Sequence, residues 1–206
     1  MPFPLHKQNT SIGQQDIEIF VPDESHVEKA YREGLIEFPY WARIWPSAIA
    51  LSAFIDAHPE YINNKKVLEL GAGLGLPSIV SASLATSVVC SDKEDEALRI
   101  VEQSILLHGF HNVVTRKIDW TKDAIITGAD TVLLSDVNYD PATLDKLLQV
   151  ILQLLQIETT ILLATPQRLM GRDFLTPLLS YCRERETIPV PYRHKEIPVT
   201  IMALKA

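Results

Sequence analysis

Cysteine is scarce in this chain. Two occur among 206 residues, Cys90 and Cys182, far apart and in neither a C-x-x-C pair nor a Cys/His ligand spacing. That scarcity argues against a zinc site and against a disulfide-stapled secreted scaffold. Histidine offers no metal site either: His108 and His111 flank Gly109-Phe110 at a helix end, while His26, His58 and His194 are isolated. Dense basic tracts are missing too. The net charge is −7, and the nearest approaches, Arg183-Glu184-Arg185 and Arg193-His194-Lys195, are short and diluted. A nucleic-acid backbone relies on clustered cations, so none is expected as the main partner. No apolar run approaches the roughly 18 residues of a membrane span. The most apolar region, Leu147 to Ile157, is broken by Gln149, Gln153 and Gln156. Met1 to Gln15 lacks the charged start and apolar core of a signal peptide. A cytoplasmic protein without a membrane partner is therefore expected.

What is present suits one globular domain. The apolar fraction is 47% and the charged fraction 22%, with no internal repeat or low-complexity linker. Residues 1–37 read as an N-terminal extension and residues 38–206 as the core. The opening to Thr10 looks loose, and Asp16 to Val21 alternates polar and apolar as a half-buried strand does, ending at Pro22-Asp23. From Trp41 to Ile55 apolar residues recur at helical spacing, with Pro46 near the first turn, where proline is tolerated. Strands then alternate with helices. The strands are Lys66 to Leu70, Ser87 to Ser91, Asn112 to Ile118, Asp130 to Ser135 and Thr159 to Ala164. The helices are Leu76 to Ala85, Glu94 to His108, Pro141 to Gln156 and Arg172 to Cys182. Two last strands, Thr187 to Val190 and Val199 to Leu204, fit an antiparallel hairpin joined by the Pro-rich segment from Pro191 to Pro198. The expected fold is α/β: a Rossmann-like, doubly wound, mostly parallel seven-stranded sheet with that hairpin at its edge and a strand/helix extension before it.

In such a sheet, ligands lie outside the carboxyl ends of the strands. Gly71-Ala72-Gly73-Leu74-Gly75 follows the first core strand, where glycines permit a tight turn and close approach to a ligand. A dinucleotide fingerprint needs G-x-G-x-x-G, but here the last glycine comes one residue early. Glu69 beside the turn would oppose a pyrophosphate and suit a cationic group, which favours adenosylmethionine over a nicotinamide cofactor. Asp92 ends the next strand, where an acid can hydrogen-bond a ribose diol or cap the following helix. Asp119 and Trp120 follow the third strand and could meet an adenine amino group and its ring. Ser135, Asp136 and Tyr139 follow the fourth, and an ionised Asp with a nearby phenol can orient an amine and accept its proton. Tyr40, Trp41 and Trp45 add aromatic faces able to hold a base or a cation. Each feature also has a purely structural reading; their agreement at four strand ends carries the case.

Three segments, in order, resemble the seven-strand adenosylmethionine-dependent methyltransferases, and more narrowly methyltransferase family 16, which includes protein-lysine methyltransferases. They are Tyr40-Trp41-Ala42-Arg43-Ile44-Trp45-Pro46, Val67-Leu68-Glu69-Leu70-Gly71-Ala72-Gly73 and Asp136-Val137-Asn138-Tyr139, the last fitting a D-x-x-Y motif. The resemblance runs from about Phe38 to the end. It implies S-adenosyl-L-methionine as cofactor. Glu69, Gly71 and Gly73 would contact its methionine part, Asp92 its ribose, Asp119 and Trp120 its adenine. Trp45 would border it, and Ala72 and Ser135 complete the cofactor-binding residues. Asp136 and Tyr139 would face an acceptor lysine of a protein substrate, Asp136 orienting first and acting as base second. A small-molecule N-methyltransferase and a non-catalytic binding module share the cofactor residues and stay open, as do the acceptor's identity and the oligomeric state.

Overall fold

The chain opens on a hairpin that its composition does not announce. In the computed structural model, which describes residues 3–125, 128–166 and 172–206, strand β1 (Leu5–Ile12) pairs antiparallel with β2 (Gln15–Pro22). The expectation of a loose opening is corrected here. In β1 only Thr10 and Ile12 are buried, so it carries little alternation of its own, and its register comes from β2. The hairpin is fastened to the core by Ile12, Ile19 and Val21 and by the Phe20 N–H, which donates to Ser104 Oγ at 3.0 Å.

Helix α1 (Glu24–Arg32) follows, N-capped by Asp23, whose carboxylate accepts from the His26 N–H. Its one buried residue is Val27, too little apolar periodicity to mark a helix in the sequence. The helix expected over Trp41 to Ile55 is shorter. Tyr40–Ala42 form a single 3₁₀ turn, the chain then extends, and α2 (Pro46–Ala57) begins with proline in its first turn. Trp45 is extended, at φ −87° and ψ 154°, because a residue before proline is pushed out of the helical region.

The core follows as β3 (Lys66–Leu70), α3 (Leu76–Ala82), β4 (Ser87–Asp92), α4 (Asp95–His108) and β5 (Val113–Lys117). It continues through β6 (Thr131–Ser135), α5 (Leu144–Gln156), β7 (Thr160–Pro166), α6 (Arg172–Leu175), β8 (Cys182–Tyr192) and β9 (Lys195–Leu204). The seven strands lie in the order β5-β4-β3-β6-β7-β9-β8, with β3 to β7 parallel and β8 and β9 antiparallel. Two expectations change. The helix from Arg172 to Cys182 is a four-residue α6 followed by 3₁₀ turns over Thr176–Tyr181. The final hairpin is longer, with Pro189 opposite Pro198 inside the strands and the turn at Arg193-His194. The prolines are tolerated because β8 is the sheet edge, and β9 pairs with β7 only from Val199 onward.

Alternation along the strands divides the core. Val67, Leu133, Leu162, Ile201 and Ala203 face α2, α3 and α4; Leu68, Leu70, Val132, Leu134 and Met202 face α5 and α6. Both faces are covered, as a parallel sheet requires. The chain winds outward from β3 to β5, then returns to β6 on β3's other side. The carboxyl ends of β3 and β6 therefore border the crevice where strand order reverses.

Candidate active site

A cleft of about 620 Å³ opens at that reversal, within the roughly 300–1,000 Å³ typical of small-molecule sites. Its floor is the turn between β3 and α3. Gly71, Gly73 and Gly75 all hold left-handed backbone, at φ 67°, 54° and 69°, which L side chains resist. A Cβ on Gly71 would also stand 3.0 Å from Val137 Cγ1 and 3.6 Å from the Trp120 indole nitrogen, so glycine leaves room there for both neighbours. Ala72 lines the cleft, and its N–H donates to the Ser91 carbonyl at 2.9 Å, tying the turn to β4.

Asp92 locks that turn further. One carboxylate oxygen accepts from the Gly73 N–H at 2.8 Å and the other from the Glu94 N–H at 3.0 Å. Burial pushes its carboxyl above the ordinary value, and the backbone donors of Glu94 and Gly73 pull against that shift. The Lys93 N–H also acts on this carboxylate, and since a carboxylate offers about four lone-pair sites, acceptor capacity remains for a ligand hydroxyl.

Glu69 departs from its expected place. It faces the α3 side of the sheet, is fully buried, and is not among the residues lining the cleft. Oε2 instead accepts from both the N–H (3.0 Å) and the hydroxyl (2.5 Å) of Ser78. Ser78 is the third residue of α3, whose N-cap, Gly75, has no side chain to accept that N–H. Glu69 thus does from the neighbouring strand what a capping side chain does locally. Burial raises its carboxyl to about 8, the Ser78 bonds oppose the rise, and the charge of Asp92 adds to it. A clue lies in the sequence: Glu69 shares a strand face with Val67, and the helix begins on a glycine.

Asp119 and Trp120 also line the cleft. Asp119 already accepts from the Thr121 N–H at 3.1 Å and pairs with Lys122 at 3.0 Å. Burial raises its carboxyl, but the Thr121 and Lys122 bonds outweigh this and hold it below the ordinary range. Trp45 lines the cleft too, and its indole N–H donates to the Tyr40 carbonyl at 2.6 Å.

The end of β6 forms the mouth. Ser135 and Asp136 line it, and Asp136 sits at φ 54°, a left-handed conformation that costs a non-glycine residue about 1–2 kcal/mol. Such strain persists where surrounding structure enforces it. Here the Asp136 N–H donates to the Ala164 carbonyl at 3.0 Å, and Asn138 Nδ2 donates to Thr165 Oγ1 at 2.9 Å, anchoring the loop to β7. Tyr139 stacks on Tyr40 with ring centroids 4.4 Å apart. Burial first, then neighbouring negative groups, push its phenol to about 12, so it stays protonated at neutral pH.

The cleft gathers side chains the sequence reading did not single out: Glu37, Lys93, Lys122 and Asp140. They come from turns and rims without periodicity. Six carboxylates (Glu37, Asp92, Glu94, Asp119, Asp136, Asp140) face three cations (Arg43, Lys93, Lys122), a balance that favours a cationic occupant.

Sheet order, glycine turn and strand-end acids define a class I adenosylmethionine-dependent methyltransferase. The profile of the lysine methyltransferase family matches residues 40–180, and the chain belongs to that family. It is 33% identical over 139 residues to protein N-lysine methyltransferase METTL21A of Xenopus tropicalis, covering 65% of each chain. It is 25% identical over 181 residues to histone-arginine methyltransferase METTL23 of Mus musculus, covering 85% of this chain and 67% of the relative. Among solved structures, the Pyrococcus abyssi tRNA (uracil-54, C5)-methyltransferase in complex with S-adenosyl-L-homocysteine is similar in fold, with a TM-score of 0.62 at 13% identity over 96% of this chain and 44% of that one. The cofactor is S-adenosyl-L-methionine, and the residues present fit it. The glycine cradle keeps the backbone accessible, Asp92 retains acceptor capacity, and the carboxylate excess suits a sulfonium.

Proposed function

We propose that the protein transfers a methyl group to the side-chain nitrogen of a lysine on a protein substrate. The observation carrying this reading is the mouth of the cleft, where the strained Asp136 and the Tyr40–Tyr139 stack flank the end of β6. Adenosylmethionine supplies an electrophilic methyl group when bound, so the protein's task is chiefly to align the acceptor. A lysine arrives protonated, with a reference pKa of about 10.4. The Asp136 carboxylate draws in and orients the ammonium, the outer face of the stacked tyrosine pair attracts it by cation–π interaction, and the proton leaves to water at the open mouth. Tyr139 remains a neutral phenol and serves as a wall rather than a base. Protein is favoured over nucleic acid because the carboxylate excess at the cleft repels a phosphate backbone.

The test combines tritiated adenosylmethionine, cell extract and purified protein, with mass-spectrometric mapping of the labelled residue. Wild type should label lysine in protein bands. Asp136→Ala should lose transfer by about 100-fold or more, on the scale of a lost positioning group, while still binding S-adenosylhomocysteine. Label confined to small molecules, or mapped to arginine, would overturn the lysine reading. Loss of cofactor binding in Asp136→Ala would remove the role given to Asp136.

A further inference from the structure

Next to the cofactor cleft lies a second cavity of about 260 Å³, walled by Val27, Tyr31, Phe38, Pro39, Ala42 and Trp45. Phe38, Arg43 and Trp45 line both spaces, so one wall separates them. The mouth of the cleft and this cavity are joined by a row of aromatic rings. Tyr139 stacks on Tyr40 at 4.4 Å, Tyr40 meets Phe38 at 4.5 Å, and Phe38 meets the edge of Tyr31 at 5.3 Å. All four are between 38% and 48% exposed. A run of mutually touching exposed aromatics is unusual for a surface with no partner.

The charges at the two openings differ. Those around the second cavity are spent on one another: Arg43 pairs with Glu24 and, at 3.6 Å, with Glu28, and Arg32 pairs with Glu28 at 3.1 Å. What it presents to an occupant is apolar. The cleft, by contrast, carries twice as many carboxylates as cations. One opening therefore selects a cation and its neighbour an uncharged apolar group.

We propose that the two cavities together read an extended protein segment, the cleft taking its lysine and the second cavity a large apolar side chain close by in the same segment. This rests on the lysine reading above and adds the sequence context that the enzyme recognises. In an extended chain, side chains two residues apart share a face at about 3.3 Å rise per residue. The apolar residue therefore lies at an even offset, two or four positions from the lysine. The peptide backbone between the two anchors would lie over the Tyr31–Phe38–Tyr40 row and cover the exposed rings.

Nine-residue Gly/Ser peptides with a central lysine, and with one leucine moved through every other position, test this with tritiated adenosylmethionine as donor. One or two even offsets should raise kcat/KM by about tenfold over the leucine-free peptide, the scale of burying one such side chain. The preference should collapse in Tyr31→Ala and return in Tyr31→Phe, since the ring and not the hydroxyl forms the wall. S-adenosylhomocysteine binding, measured by calorimetry, verifies that each variant is folded. Lysine methylation with no positional preference, or a preference that Tyr31→Ala leaves intact, overturns the inference while the lysine reading stands. Failure to methylate any peptide by protein that binds S-adenosylhomocysteine overturns both.

Discussion

Glu69 shows how a single buried side chain can hold the floor of the site in place. Its carboxyl titrates near 8 when folded, against about 4.3 for an unperturbed glutamate. A carboxyl whose folded pKa lies above its unfolded value holds its proton more tightly in the native state. It contributes stability that is full below the unfolded pKa and is lost as pH rises through the folded one. Between about pH 5 and 8 the wild type should therefore lose stability with a slope approaching 1.4 kcal/mol per pH unit from this group alone. Glu69→Gln keeps an oxygen for Ser78 and cannot ionise, so its urea midpoint should fall less steeply over the same range. Parallel midpoints for wild type and variant at pH 5.5 and 8 would show that Glu69 does not titrate there. Glu69→Ala removes the acceptor for the Ser78 N–H and hydroxyl and should cost about 1–3 kcal/mol at pH 6, read from the same curves.

The β3–turn–α3 unit sets the geometry of the cleft floor, and its glycines can be separated by what surrounds them. A Cβ on Gly75 would stand 3.0 Å from both Cys90 Sγ and Val101 Cγ2. Gly109, at the end of α4, shares its left-handed φ but has open space around it. Gly109→Ala should then cost only the backbone strain, about 1 kcal/mol, whereas Gly75→Ala adds overpacking and should cost about 2–4 kcal/mol. Equal midpoint shifts in denaturant would mean that β4 and α4 yield freely at that contact. This unit was legible in the sequence because short apolar strands, a glycine cluster and helical periodicity follow one another there. The less legible elements lack such marks. The polar strand β1 is defined by its partner β2, and the extension's helix could not be bounded because α1 buries only Val27. Apolar spacing persists through Arg43–Trp45, which makes the helix look longer than it is, whereas Pro46 holds Trp45 extended and sets the helix start there. Strand ends also pointed to the cleft-lining acids Asp92, Asp119 and Asp136, since topology alone places them together. The bond from Ser78 to Glu69 was not legible, because alternation gives a face of the sheet but not that the helix on that face starts without a cap.

At the scale of the whole molecule, the cleft is shared property. Its walls come from the Tyr40–Trp45 segment before the sheet and from the ends of β3, β4, β5 and β6, so a ligand bound there joins segments that are remote in the chain. A group that binds only the folded form stabilises all of it by mass action. At a hundredfold excess over Kd, that amounts to about 2.7 kcal/mol, or roughly 5–10 °C in Tm for a chain of this size. S-adenosylhomocysteine should produce such a shift in the wild type and, if Asp136 serves the acceptor as proposed, an equal one in Asp136→Ala. Asp92→Ala should melt lower without ligand, because the Gly73 and Glu94 N–H groups lose their acceptor, and should show little further shift when ligand is added. The two effects of Asp92 are separable: the first is measured without ligand, the second by its increment. A full increment in Asp92→Ala would confine that residue to holding the turn and leave the ribose to other groups. No increment in folded wild type would contradict the cofactor itself.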